Sequence, residues 1–122
     1  MNNKAFRAGP LALTNTLTTN ILNPATATGG VNGGTSAQYI LMKHIRIVNK
    51  TVGAVTFSLW IGATGANAAG TEFIGTALSV AANSAYDWYG LARLDAADFL
   101  VGGASAATSL SITIEGEVGV AG

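Results

Sequence analysis

The chain has 122 residues, six Lys or Arg against six Asp or Glu, a single His and no Cys. That length supports one domain with a modest core, and the missing Cys excludes a disulfide framework and a thiolate metal site. Only 10% of residues are charged, against roughly 25% in an ordinary soluble domain, so much of the surface is expected to be covered in an assembly.

No apolar run approaches the length of a membrane-spanning helix, and the opening MNNKAFRAGPLALTN lacks the apolar centre of a signal peptide. Neither a membrane partner nor ordinary secretion is expected. Charge is segregated along the chain. Residues 1–61 hold Lys4, Arg7, Lys43, Arg46 and Lys50 without an acid, whereas residues 62–122 hold Arg93 with Glu72, Asp87, Asp95, Asp98, Glu115 and Glu117. The two halves can neutralise each other between copies or, equally, within one folded copy. Five scattered basic residues lack the density that phosphate neutralisation needs, so no direct nucleic-acid partner is expected.

Residues 1–10 read as an extended N-terminal arm bounded by Pro10, which a partner holds. Residues 11–122 read as a single β-sandwich domain that includes a Gly/Thr-rich loop at 23–37. Within LALTNTLTTNIL at 11–22 one strand is expected, with Leu17 and Ile21 facing inwards. The strongest stretch follows. Gln38 to Gly62 reads as a long antiparallel pair joined around Lys50 to Gly53, with Val55, Phe57, Leu59 and Ile61 alternating against Thr56, Ser58 and Trp60. On its first arm Tyr39, Leu41, Ile45 and Ile47 form one row, and Ile40, Met42, His44, Arg46 and Val48 a mixed opposite row.

After a small-residue loop at 63–70, short strands are expected at 71–75 and 76–82, then 85–92 and 99–101, with a turn around Asp95 to Asp98. The last strand is the clearest. Leu110, Ile112, Ile114, Val118 and Val120 share one face, while Ser109, Ser111, Thr113, Glu115 and Glu117 share the other, and Gly116 marks a bulge or close contact. About eight strands with turn-like separations, and no 3.6-residue period, indicate an all-β antiparallel sandwich. A jelly roll is the first topology and an immunoglobulin-like sandwich the second; periodicity does not choose between them.

Candidate chemistry is sparse. The lone His44 stands beside Lys43 and Arg46 without a GxSxG serine or any Cys, so it reads as a structural or interface residue and not a catalytic base. Asp95 and Asp98 do not match a calcium loop and read as turn caps. GGVNGG at 29–34 lacks the Lys and Ser or Thr of a phosphate loop. Asn49, Lys50 and Thr51 form a formal glycosylation triplet, without consequence outside a secretory route. No enzyme activity, cofactor or metal is expected. Tyr86 and Trp88 share a parity and Tyr89 takes the other with Asp87; core packing, a subunit interface and ligand stacking are the three readings of these aromatics.

The stretches YILMKHIRIVNKTVGAVTFSLWIG, AANSAYDWYGLARLDAADFLVGG and TSLSITIEGEV, which span roughly residues 38–118, resemble small structural proteins of tailed bacteriophages. The resemblance implies a virion component and not an enzyme. Its preferred role is a capsid decoration, or cement, protein that clamps major capsid subunits from the outer surface of the capsid after synthesis in the host cytoplasm, with a homotrimeric body. Met1, Lys4, Phe6 and Arg7 on the arm, with His44, Arg46, Tyr86 and Trp88, are the expected interface residues. A tail or neck protein is the nearest rival, and a host-glycan-binding module belongs to a second class. Deleting residues 1–10 is expected to leave the sandwich folded while weakening attachment.

Overall fold

The computed structural model describes residues 2–24, 37–63, 65 and 69–120. These contain eight strands: β1 (Asn2–Ala12), β2 (Asn20–Leu22), β3 (Ala37–Asn49), β4 (Val55–Gly62), β5 (Leu78–Val80), β6 (Ser84–Leu94), β7 (Phe99–Ala104) and β8 (Leu110–Val120). One sheet has the order β1-β8-β3-β6 and the other β2-β7-β4-β5. Every pairing is antiparallel. The pairs β1/β8, β2/β7, β3/β6 and β4/β5 are nested, so the chain is one long four-pair ribbon whose first half lies against its second. Rolling that ribbon makes β8 meet β3 and β7 meet β4. This is the jelly roll, and it removes the immunoglobulin-like alternative.

Between the sheets lies one apolar core. Phe57, Leu59, Ile40, Met42, Ile45, Ile47, Leu94, Leu100, Ile112, Ile114 and Val118 are essentially sealed from solvent. The inward rows read from β4 and β8 are confirmed here: Val55, Phe57 and Leu59, and Leu110, Ile112, Ile114 and Val118.

Four expectations are corrected. First, β3 and β4 are not a hairpin. They belong to different sheets and face each other across the core, because Asn49 turns the chain from one sheet to the other. Its amide Nδ2 donates to the Gly53 and Val80 carbonyls, each at 2.9 Å, while its Oδ1 accepts from the Thr51 N–H and hydroxyl. Second, the inward row of β3 changes parity. Met42 pairs with Gly116 and His44 with the adjacent Glu115, so Lys43 is an extra residue on β3. That bulge lets Ile40 and Met42, then Ile45 and Ile47, all face the core. Unbroken alternation would have turned one of these pairs to water.

Third, residues 11–22 are not one strand. β1 ends at Ala12, and Thr14 to Thr19 form a turn in which the Thr19 hydroxyl bonds the Thr16 carbonyl at 2.8 Å, leaving Leu17 exposed. The strand expected at 71–75 is likewise a single bridge between Trp60 and Glu72, because Ile74 takes a left-handed φ of 76° that a strand does not accommodate. Fourth, residues 2–10 do not stand off the body. β1 is in register with β8 from Asn2–Val120 to Ala12–Ser111, with one shift between Ala8 and Leu11, and Phe6 and Ala8 pack on the core. β1 therefore runs straight through the Pro10 boundary.

Candidate functional site

The charge segregation seen along the chain acquires a spatial meaning in this winding. β1 brings Lys4 and Arg7, β8 brings Glu115 and Glu117, β3 brings Lys43, His44 and Arg46, and β6 brings Asp87 and Arg93. In the order β1-β8-β3-β6 the basic strands of the first half alternate with the acid-bearing strands of the second. The three strand acids thus find basic partners within one copy. No charged residue lies in β2, β7, β4 or β5. The remaining charged side chains, Lys50, Glu72, Asp95 and Asp98, lie in connections.

On the outer face of the first sheet Arg46, Asp87 and Glu115 form a connected cluster around His44. The parity change at Lys43 is what turns His44 and Arg46 outward while their neighbours Ile45 and Ile47 stay buried. His44 Nε2 lies 2.8 Å from Asp87 Oδ1 on β6, and Nδ1 lies 3.1 Å from Glu115 Oε1 on β8. An ionised carboxylate only accepts, so His44 donates to both Asp87 and Glu115 at once only in its imidazolium form, and either neutral tautomer donates to one of them. The Asp87 hydrogen bond chiefly raises the His44 pKa above its ordinary value; partial burial opposes this, and Glu115 adds to it. The same bond from His44 chiefly lowers the Asp87 pKa, with the Arg46 charge assisting against desolvation.

Arg46 Nη1 donates to both Asp87 oxygens, at 3.1 and 2.9 Å, and Lys43 Nζ donates to Glu117 Oε2 at 2.6 Å. Arg7 stands opposite Glu115 in the β1–β8 register. The Tyr89 ring lies flat on the His44 ring, with centroids 4.5 Å apart and planes 5° from parallel. At the far end of the face the Arg93 guanidinium sits 4.2 Å over the Tyr39 ring and donates from Nε to Asp95 at 2.6 Å. A shallow groove of about 470 Å³ on this face is lined by Ala5, Lys43, His44, Glu115, Gly116 and Glu117.

Chemically, the cluster is a clamp across three strands. Both ring nitrogens of His44 face carboxylates of the clamp, and in the imidazolium form neither has a lone pair with which to take a proton. Its two carboxylates stand on opposite edges of the ring, and among the described residues no three metal-ligating side chains converge.

Of the expected interface residues, Arg7, His44 and Arg46 share this face, while Lys4 takes a register position opposite Val118 on β1. Phe6, Tyr86 and Trp88 pack instead against the core, Tyr86 edge-on to Phe57 and Trp88 edge-on to Phe73. Tyr86 and Trp88 are therefore inner-face residues, as their shared parity allowed, and Tyr89 is the exposed aromatic of β6. Met1 and the glycine run at 29–34 lie outside the described residues. Sequence reasoning passed over Asp87, Glu115 and Tyr89 as partners of His44; they come from distant strands, and only their outward parity signalled them.

The second sheet presents a different outer surface. Trp60 and Val101 are cross-strand partners there, buried although they are not part of the central core. The connection after β4 is fastened to this sheet by Gly65 N–H to Asn20 Oδ1 at 2.7 Å and Ala77 N–H to Ser58 Oγ at 2.8 Å. Past the short β2, the Gly102 and Ala104 N–H groups of β7 donate to the Thr19 and Thr14 carbonyls of the preceding turn. Asp95 and Asp98 cap their own turn, Asp95 N–H donating to Asp98 Oδ2 at 2.9 Å.

No family model matches the chain, and no curated protein sequence matches it. One solved structure does. It is the coat protein dimer of Tobacco streak virus, with 14% identity over 99% of this chain and 88% of that one, at a TM-score of 0.49.

Proposed function

We propose that the chain is a non-enzymatic structural protein of a virion, and within that class a cement protein seated on the outer surface of a capsid, where it bridges neighbouring major capsid subunits. The observation that carries this reading is the placement of charge. One sheet pairs each of its three acids with a basic partner across its strands, and the strands of the other sheet carry no charge. A surface of this kind suits broad, shallow contacts of Ser, Thr, Asn, Gly and apolar groups, repeated many times over a shell. The resemblance of residues 38–118 to tailed-phage structural proteins supports the same class. A rigid jelly-roll body is the working part, because β1 is already paired with β8 and does not supply a free arm.

The test is rebinding of the purified chain to stripped, expanded heads across a salt series. Saturable binding in proportion to the major capsid protein, with affinity retained at high salt, is the expected result, since few contacts depend on charge. Binding limited to a single ring's worth of copies favours a tail or neck position, and no binding removes the proposal.

A further inference from the structure

A two-sheet sandwich has four exposed strand edges, and each is a template for another chain unless something blunts it. Three are blunted here. β2 and β5 are three residues long. β1 carries Pro10, which has no N–H, and its register with β8 shifts between Ala8 and Leu11. β6 is different. It runs for 11 residues without a proline, and its outer row, Asp87, Tyr89, Leu91 and Arg93, includes two large apolar side chains left to solvent, Tyr89 at 73% and Leu91 at 68% exposure. Opposite them on β3, only Lys43 answers both Gly90 and Leu91, so the middle of β6 is the least committed part of its ladder.

The row is also self-complementary. In an antiparallel two-fold pairing each side chain stays on its own face, so the axis must pass beside one residue and its own copy. With Gly90 on the axis, Tyr89 faces Leu91 of the second copy, and Asp87 faces Arg93 of the second copy, each twice by symmetry. Moving the axis to Tyr89 sets Asp87 against Leu91, and moving it to Leu91 sets Asp87 against Asp95. Only the Gly90 axis opposes unlike charges and pairs the two apolar groups. Both ions retain capacity for the contact. Arg93 bonds Asp95 through Nε, leaving its Nη donors, and Asp87 accepts three hydrogen bonds where a carboxylate offers about four sites.

We infer that a second copy of this chain is the occupant of the β6 edge, joined by a two-fold antiparallel contact centred on Gly90 that makes one continuous eight-stranded sheet from two four-stranded ones. This association is two-fold, unlike the homotrimer that the family resemblance implies, and it does not depend on attachment to a capsid.

Sedimentation equilibrium of the full chain at micromolar concentrations tests it. The expected result is a reversible dimer whose midpoint concentration rises at least roughly tenfold in Leu91→Lys, equivalent to about 1.4 kcal/mol, and is unchanged in Val52→Lys, a still more exposed apolar position outside the strand. Unaltered melting temperatures check that both variants are folded. Because the chain has no Cys, register is read directly: Tyr89→Cys and Leu91→Cys proteins should form a disulfide dimer on oxidation when mixed, and far less when each is alone. A monomer throughout, a trimer, a dimer indifferent to Leu91→Lys, or cross-linking of Tyr89→Cys alone in preference to the mixture would overturn the inference.

Discussion

Met42 and Leu41 are adjacent, similar in size and assigned opposite roles by the bulge at Lys43. Met42 is fully buried and Leu41 only half so, on the outer face. Replacing Met42 by Ala removes three heavy atoms beyond Cβ, roughly 2.4 kcal/mol at about 0.8 kcal/mol per methylene equivalent. A cavity term is added where the packed neighbours Ile40, Ile45 and Val118 cannot close the space, which places the total at about 3 kcal/mol, inside the usual range of about 2–5. Leu41→Ala deletes a side chain that is already partly wet and should cost less than about 1 kcal/mol. Urea unfolding at matched assembly state reads both, as a shift in midpoint with unchanged slope. Deleting Lys43 is the companion experiment. It removes the extra residue, turns either Ile40 and Met42 or Ile45 and Ile47 away from the core, and should abolish folding. Equal losses for Leu41→Ala and Met42→Ala, or a stable Lys43 deletion, would refute the bulge as the device that sets the faces of β3.

Three further outcomes follow from the same geometry. His44 has its pKa raised in the fold, so its contribution is fully present below its ordinary value and is lost as pH rises through the folded value; Asp87 has its pKa lowered, so its contribution is lost as pH falls through the folded value. The stability difference between the parent and His44→Gln should therefore be largest in the mildly acidic range between them and shrink on either side; a difference independent of pH would show that the imidazolium clamp does not form. Asn49→Ala should cost roughly 1–3 kcal/mol by thermal or urea unfolding, because the Gly53 and Val80 carbonyls lose their shared donor inside the fold. Deletion of residues 1–10 should lower the melting temperature and promote aggregation by stripping Phe6 and Ala8 from the core and baring the β8 edge, whereas parent-like stability would restore the reading of a detachable arm.

Alternation alone was enough to establish an all-β chain, the inward faces of β4 and β8, the split of Tyr86 and Trp88 from Tyr89, and the capped turn at Asp95 to Asp98. These are local properties: a side chain's parity and a turn's own hydrogen bonds depend on residues a few positions away. The low charge, and its division between the two halves, were equally legible. What alternation does not carry is the identity of the neighbouring strand. Apolar rows on β3 and β4 are satisfied as well by facing each other across a core as by lying side by side, and the buried Asn49 turn decides for the former. The mixed row of β3 looked ambiguous because a single extra residue, Lys43, exchanges the faces beyond it, and a bulge is defined only against its partner strand. The His44 clamp joins residues 43 and 71 positions apart, and it exists because nesting of the strand pairs lays the acidic half of the chain against the basic half. Such long-range register is a property of the folded sheet, fixed by the joint burial of all its strands and by no one stretch of sequence.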